Sequence, residues 1–376
     1  MFKNISRKQV ILILTAFLCR YAAGVPAWDI PNEDDLALFG SYLEQSISNG
    51  NPWYFNHSFD ESLLVRRVID ESDKYAGNEF NQGFIDGLLS NLDMGGLLVD
   101  EISKGGSFTL LHCITDENSA TLIFRLTGPE GVNYHEYSVE LIGDEMKVTD
   151  AYLYNTGQRI SETVYALYQE YINPVKVKDV RLEKHLDALR RHESKGHPDR
   201  AYREWKKLPE GIRNDKILLA EGLRVASLAG EKEFLAVLSV FEENFPDEPA
   251  KYFIPLEGLT THKQYDKAIA NIDILDEYLH NDPLLEFFRA NIYSETGEYE
   301  KATGCLYNLI KSMPELELGY TGLLNIYLEK QLYGEAISVL TEMIHTFDAA
   351  KEEITPFLTN YPDFIKSQEY LNWLKY

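Results

Sequence analysis

Few residues in this chain have types and spacing that suit chemistry, and most of them point away from it. His185, His192 and His197, with Glu193 beside them, form the densest histidine group. Their spacings of seven and five put them on no shared helix face, which reads as solvated surface. His112 and Cys113 are adjacent in a strand-like stretch, so their side chains must point to opposite faces, and no cysteine–histidine nucleophile pair is expected. His135, with Tyr134, Glu136 and Tyr137, is the remaining candidate: lining a pocket, a histidine and a carboxylate can do acid–base work. Metal-ligand spacing, a glycine-rich phosphate loop and a nucleophile elbow are all absent from the sequence. The expectation is a protein that is no enzyme, with no catalytic residue, no metal and no cofactor. Asn56-His57-Ser58 spells a glycosylation sequon.

The elements around these residues fall into two kinds. From Asp34 to about Leu92 the apolar spacing is helical: Leu36, Leu38, Phe39, Tyr42 and Leu43, then Leu63, Leu64, Val65, Val68 and Ile69, then Phe80, Phe84, Ile85, Leu88 and Leu89. Helices are predicted over those three stretches. From Phe108 to Tyr154 the pattern alternates, as in Ala120, Leu122, Phe124 and Leu126 against Thr121, Ile123, Arg125 and Thr127. Turn sequences at Asp116-Glu117-Asn118, Thr127-Gly128-Pro129-Glu130-Gly131 and Ile142-Gly143-Asp144 divide it into an antiparallel meander of about four strands. One apolar sheet face needs a cover, which the preceding helices and Ser161–Tyr171 can supply, giving an α+β domain. By element order alone this loosely resembles the nuclear-transport-factor-2-like fold, which implies a cone enclosing a pocket.

The first residues follow signal-peptide grammar: Lys3, Arg7 and Lys8, an apolar run from Val10 to Cys19, and small residues at Ala22-Ala23-Gly24 and Val25-Pro26-Ala27. That run covers about ten residues where a membrane-spanning helix needs roughly twenty, so no transmembrane segment is expected. Leu18 stands before Cys19 where a lipoprotein leader wants a small residue, which argues against lipid attachment. The predicted organisation is a signal peptide over 1–27, an α+β domain over 28–175 and helical repeats with a C-terminal cap over 176–376. Cleavage of the leader would export the protein to a periplasm or the outside. Cys113 and Cys305, the cysteines beyond the leader, fall in different domains, so no disulfide framework is expected. The formal charge of −24 repels phosphate backbones and excludes nucleic acid as a partner.

The strongest signal is internal repetition after Asn173-Pro174. At an offset of 34, Ala268, Ala302 and Ala336 coincide, as do Tyr265, Tyr299 and Tyr333. Ile272, Leu306 and Leu340 make another column, and Leu275, Leu309 and Met343 a further one. The unit LLEFFRANIYSETGEYEKATGCLYNLIKSMPE resembles the tetratricopeptide repeat in Ala290, Tyr293, Gly297, Tyr299, Ala302, Leu306, Leu309 and Pro314, and departs from it at Glu286 and Arg289. Asp282 is read as the cap of a helix beginning at Pro283. Clear motif covers 249–347, and looser units precede it around Ala201, Trp205 and Leu208 and around Gly222, Leu238 and Phe241. Phe364, Tyr370, Leu371 and Trp373 read as the apolar face of a closing cap.

The resemblance implies an all-α solenoid in which the first helices of successive pairs line a concave groove. In this chain that face presents Phe253 and Glu257, then Leu284, Phe287 and Asn291, then Leu318, Thr321 and Asn325. Asn291 and Asn325, one repeat apart, can hydrogen-bond an extended peptide backbone or else cap structure. The function expected is a non-catalytic scaffold of an exported protein, holding a protein or peptide in the groove, with the N-terminal domain as a second binding or homodimerising module. The alternative is a small-ligand-binding or weakly enzymatic N-terminal pocket domain that the repeats recruit. A further alternative is carbohydrate capture on aromatic platforms among Trp28, Trp53 and Tyr54.

Overall fold

A computed structural model describes residues 30–60, 63–65, 79–89, 93–117, 119–129, 131–172 and 180–375. The expected leader, Trp28 and most of the expected helix at Leu63–Ile69 lie outside the described residues. The chain divides into two compact units, Met1–Leu153 with Arg159–Asn173, and Tyr154–Gln158 with Pro174–Tyr376.

In the first unit, helix α1 (Glu33–Ser48) starts where Asn32 accepts a hydrogen bond from the Asp35 amide, with three acids in the first turn complementing the helix dipole. Leu36, Phe39, Leu43 and Ile47 form its buried stripe. Gly40 lies on the same side, where an added Cβ would come within 2.9 Å of Leu110, so its lack of a side chain sets the close approach of helix to sheet. Then come α2 (Trp53–Ser58), α3 (Glu79–Leu89) and α4 (Met94–Ser103). Helices α2 and α4 were not foreseen. The N-cap of α4 is Asp93, and Asn56 binds both sides of that cap, donating to Asp93 Oδ1 at 2.7 Å and accepting from the Gly95 amide at 2.8 Å. The asparagine of the apparent sequon is thus a structural clamp between α2 and α4.

Strands β1 (Ser107–Thr115), β2 (Ala120–Gly128), β3 (Gly131–Ile142), β4 (Glu145–Leu153) and the short β5 (Gln158–Arg159) pair in sequence order as an antiparallel meander. Helix α5 (Ile160–Ile172) follows, burying Val164 and Tyr168 against the same core as α1. A register shift between Leu110 and His112 puts an extra residue in β1. Phe108, Leu110 and Cys113 consequently all reach the core, although 110 and 113 would face opposite ways in an unbroken strand. The sheet is not apolar on one face only: Ile123, Tyr134 and Tyr152, together with Arg125, are buried on the other.

The second unit is helical: α6 (Val180–Glu193), α7 (Pro198–Lys206), α8 (Glu210–Arg213), α9 (Lys216–Ala229), α10 (Glu231–Asn244), α11 (Pro249–Phe253), α12 (Leu256–Thr261), α13 (Tyr265–Tyr278), α14 (Leu285–Thr296), α15 (Tyr299–Ser312), α16 (Glu317–Glu329), α17 (Tyr333–Phe347), α18 (Lys351–Leu358), α19 (Pro362–Ile365) and α20 (Gln368–Trp373). The turns before α13, α15 and α17 repeat one geometry. Lys263, Gly297 and Gln331 are left-handed, with φ of 57°, 81° and 58°. The next residue's amide reaches back five residues in each, Gln264 to Leu259, Glu298 to Tyr293 and Leu332 to Tyr327, all at 2.8 Å. That is the long hydrogen bond of a Schellman stop. Tyr265, Tyr299 and Tyr333 then each open a helix, and Ala268, Ala302 and Ala336 are wholly buried one turn on. Two of the tyrosines are covered from corresponding positions: Lys330 Nζ sits over the Tyr299 ring at 3.4 Å, and Phe364, as far beyond Tyr333 as Lys330 is beyond Tyr299, lies 5.3 Å from the Tyr333 ring.

Three local expectations need correcting. Pro255 cannot donate to the helical ladder, and the first helix of the earliest clear pair is split there into α11 and α12. Asp282 does accept from the Leu284 amide, but residues 282–284 form a turn and α14 begins at Leu285 rather than at Pro283. In the cap, Phe364, Tyr370 and Trp373 are buried as expected, whereas Leu371 faces outward.

Candidate functional site

The acid–base candidate dissolves first. His135 and Tyr137 point to one face of β3, into the core, and Glu136 points to the other. Asn133 Nδ2 donates to His135 Nε2 at 3.0 Å, so Nδ1 carries the proton and donates to Tyr137 Oη at 2.8 Å. Full burial lowers the imidazole to about 4 and raises the Tyr137 hydroxyl, which keeps both groups neutral. His185, taken for solvated surface, instead pairs with Glu204 at 2.7 Å between α6 and α7. Among the described residues no group of three or more His, Cys, Asp or Glu is placed to hold a metal ion.

The expected groove residues fare unequally. On α16, Gly319, Tyr320, Leu323, Leu324, Ile326, Tyr327 and Leu328 are all buried. Leu318, Thr321 and Asn325 stay accessible, spaced three and four apart on one side, with Leu318 at 39% exposure. One repeat earlier Phe287 is half-buried and Asn291 exposed, but Leu284 is 1% exposed and cannot line an open face. It leads directly into α14 with its backbone already helical, and its side chain packs inward. Glu257 is exposed, while the half-buried Phe253 meets the ring of Tyr154 edge-on at 6.2 Å. The paired asparagines also divide: Asn325 Oδ1 accepts from the Tyr361 hydroxyl at 2.9 Å, a contact with the segment before α19, and only Asn291 remains exposed.

The two departures from the repeat motif prove to be partners, a role that single-residue comparison could not reveal. Arg289 binds Glu286 at 2.7 Å and Asp273 at 3.0 Å, and also Asp276, tying α14 to α13 through a mostly buried guanidinium. Burial, together with the Glu286 carboxylate, pushes the Cys305 thiol up to about 12, so this sulfur is a packing group rather than a nucleophile.

No protein-family model matches the chain, and comparison with curated proteins found no match. Among solved structures, "Crystal structure of MamA protein" aligns over 47% of this chain and 95% of its own, at a TM-score of 0.36 and 17% identity. "MamA RS-1 ArsTM double mutant" aligns over 45% of this chain and 95% of its own, at 0.35 and 16%. The helix-pair geometry described above rests on this chain's own recurring turns and columns.

Proposed function

We propose that the helix pairs of the second unit form a tetratricopeptide-like solenoid that holds a protein or peptide, and that the protein is a non-catalytic interaction scaffold. The observation that carries this reading is α16, whose apolar side chains from Tyr320 to Leu328 are buried while Leu318, Thr321 and Asn325 stay accessible in one line, in step with Phe287 and Asn291 one repeat earlier. A mixed apolar and amide stripe suits an extended peptide, whose backbone needs both donors and acceptors while its side chains need apolar contact. The leader over 1–27 would deliver this scaffold out of the cytoplasm, and homodimerisation through the first unit remains part of the proposal.

The test is site-specific photocrosslinking of the full chain in its native host, with the reactive residue at Asn291 or Leu318 and, as control, at the exposed Glu342 on α17. Discrete adducts from the first two positions and none from the third are expected. Equal labelling from all three would remove the binding face from the proposal.

A further inference from the structure

A second recess lies wholly within the first unit, and its walls have a different chemistry. It is an open depression of about 530 Å³ that draws Asp35, Leu38 and Tyr42 from α1, Trp53, Tyr54 and His57 from α2, and Glu145 and Lys147 from β4. That volume falls within the range of about 300–1,000 Å³ over which pockets hold small molecules. Its parts are held in place. His57 stacks on the Trp53 indole at 4.0 Å with planes 27° apart, and its Nδ1 lies 2.8 Å from the Trp53 carbonyl. Tyr42 meets Tyr54 edge-to-face at 5.8 Å and 69°. Lys147 Nζ donates to the His57 carbonyl at 3.1 Å and pairs with Glu145 at 2.9 Å, fixing β4 against the end of α2.

An indole that remains 60% exposed while one of its faces is covered by a histidine presents a single flat apolar surface. Folding gains little from leaving it there, since a tryptophan normally buries most of its area. The polar rim offers both signs, carboxylates at Asp35 and Glu145 and the ammonium of Lys147. The space is far larger than one ammonium head fills, and the Lys147 ammonium, neutralised by Glu145, leaves the rim close to charge balance. A neutral sugar suits each feature: its C–H face stacks on an aromatic plane, and its hydroxyls both donate and accept. The geometry points to an oligosaccharide-binding subsite in this recess, with Trp53 as the stacking platform, Tyr42 as the second wall, and Asp35, Glu145 and Lys147 as hydroxyl partners. This site is independent of the helical repeats and stands or falls separately from them.

The experiment uses the full chain on an array of neutral oligosaccharides, followed by calorimetric titration of the strongest hit. Tetramethylammonium serves as the cationic probe, and Trp53→Ala and Tyr42→Ala as variants. Trp53 is 60% and Tyr42 47% exposed and neither belongs to the buried core, so circular dichroism should be unchanged. Saturable binding of a neutral glycan that weakens about tenfold in each variant, the scale of one lost aromatic contact, is the expected result. The assignment is overturned if no neutral glycan binds above the Trp53→Ala background, if the strongest hit binds both variants as well as the parent, or if only tetramethylammonium binds.

Discussion

The three left-handed turns offer a quantitative test of whether the repeat is one structure written three times. Lys263, Gly297 and Gln331 occupy the same position with nearly the same φ, yet only one of them is glycine. A residue with a Cβ costs about 1–2 kcal/mol in that conformation, and glycine gives back roughly 0.5–1 kcal/mol through its greater freedom when unfolded. Gln331→Gly should therefore stabilise its turn by about 0.5–1 kcal/mol, and Gly297→Gln should destabilise its own by a similar amount. The side chain of Gln331 is exposed, and the backbone bonds from residues 331 and 332 survive its removal, so no contact is sacrificed. A chain of two units is poorly served by a single unfolding free energy, so local hydrogen exchange is the suitable assay. Exchange at Leu332 and Ala336 should slow by about two- to fivefold in Gln331→Gly, and exchange at Glu298 and Ala302 should quicken by the same factor in Gly297→Gln. Carrying both substitutions should move protection from one turn to the next. If Gln331→Gly leaves exchange unchanged or accelerates it, the turns do not share the geometry from which this reasoning starts.

Arg289 and Glu286 should be coupled. Arg289→Leu alone strands the Glu286 and Asp276 carboxylates in a half-buried place and should cost about 1–3 kcal/mol, whereas Arg289→Leu with Glu286→Trp should recover the share owed to Glu286 while Asp276 stays stranded; additive losses in a double-mutant cycle would contradict the pairing. His135 supplies a pH dependence with a definite sign, because its folded value of about 4 lies below the ordinary 6.5 and the unfolded chain binds the extra proton in between. Its contribution is intact above the unfolded value and lost as pH falls from 6.5 towards 4, roughly 3 kcal/mol in all. His135→Gln should gain on the parent by that amount over the interval in urea titrations of the first unit's sheet signal, and parallel profiles would refute it.

What the sequence disclosed about the fold depended on how local the cause was. Strand alternation and turn residues placed the meander because each turn is decided by a few adjacent residues, as at Ile142-Gly143-Asp144 between β3 and β4. The repeat columns were legible because Ala268, Ala302 and Ala336 must be small wherever a neighbouring helix crosses, and identical packing demands identical size. The left-handed stops were visible only at Gly297, since lysine and glutamine carry no signature of φ above zero. Burial on the second face of the sheet, by Ile123, Tyr134 and Tyr152, was hidden by the polar residues interleaved with them. Helix α4 was missed although its cap is local, Asp93 Oδ1 accepting from the Gly96 amide at 2.8 Å; only the clamp by Asn56 comes from far away in sequence.

The two proposed faces show the same divide, and it explains why one was drawn with errors and the other only in part. Reading every third and fourth residue as one accessible face is sound inside a helix, and Leu318, Thr321 and Asn325 share such a face on α16. Leu284 fails although its backbone is already helical, with φ −64° and ψ −23°: at the very start of α14 its side chain is 1% exposed and packed inward. Trp53 and Tyr54 could be picked out as platforms from residue type alone, but the recess they wall is made by chain segments far apart in sequence. The Asp60 amide donates to the Val148 carbonyl at 2.8 Å, and a bridge joins Phe59 to Val148, so the end of α2 is held beside β4 and Lys147 arrives at the rim. That connection owes nothing to periodicity. It follows that Lys147, rather than either aromatic residue, is the member of the recess whose place depends most on the fold as a whole: it answers at once to His57, Glu145 and the register of β4.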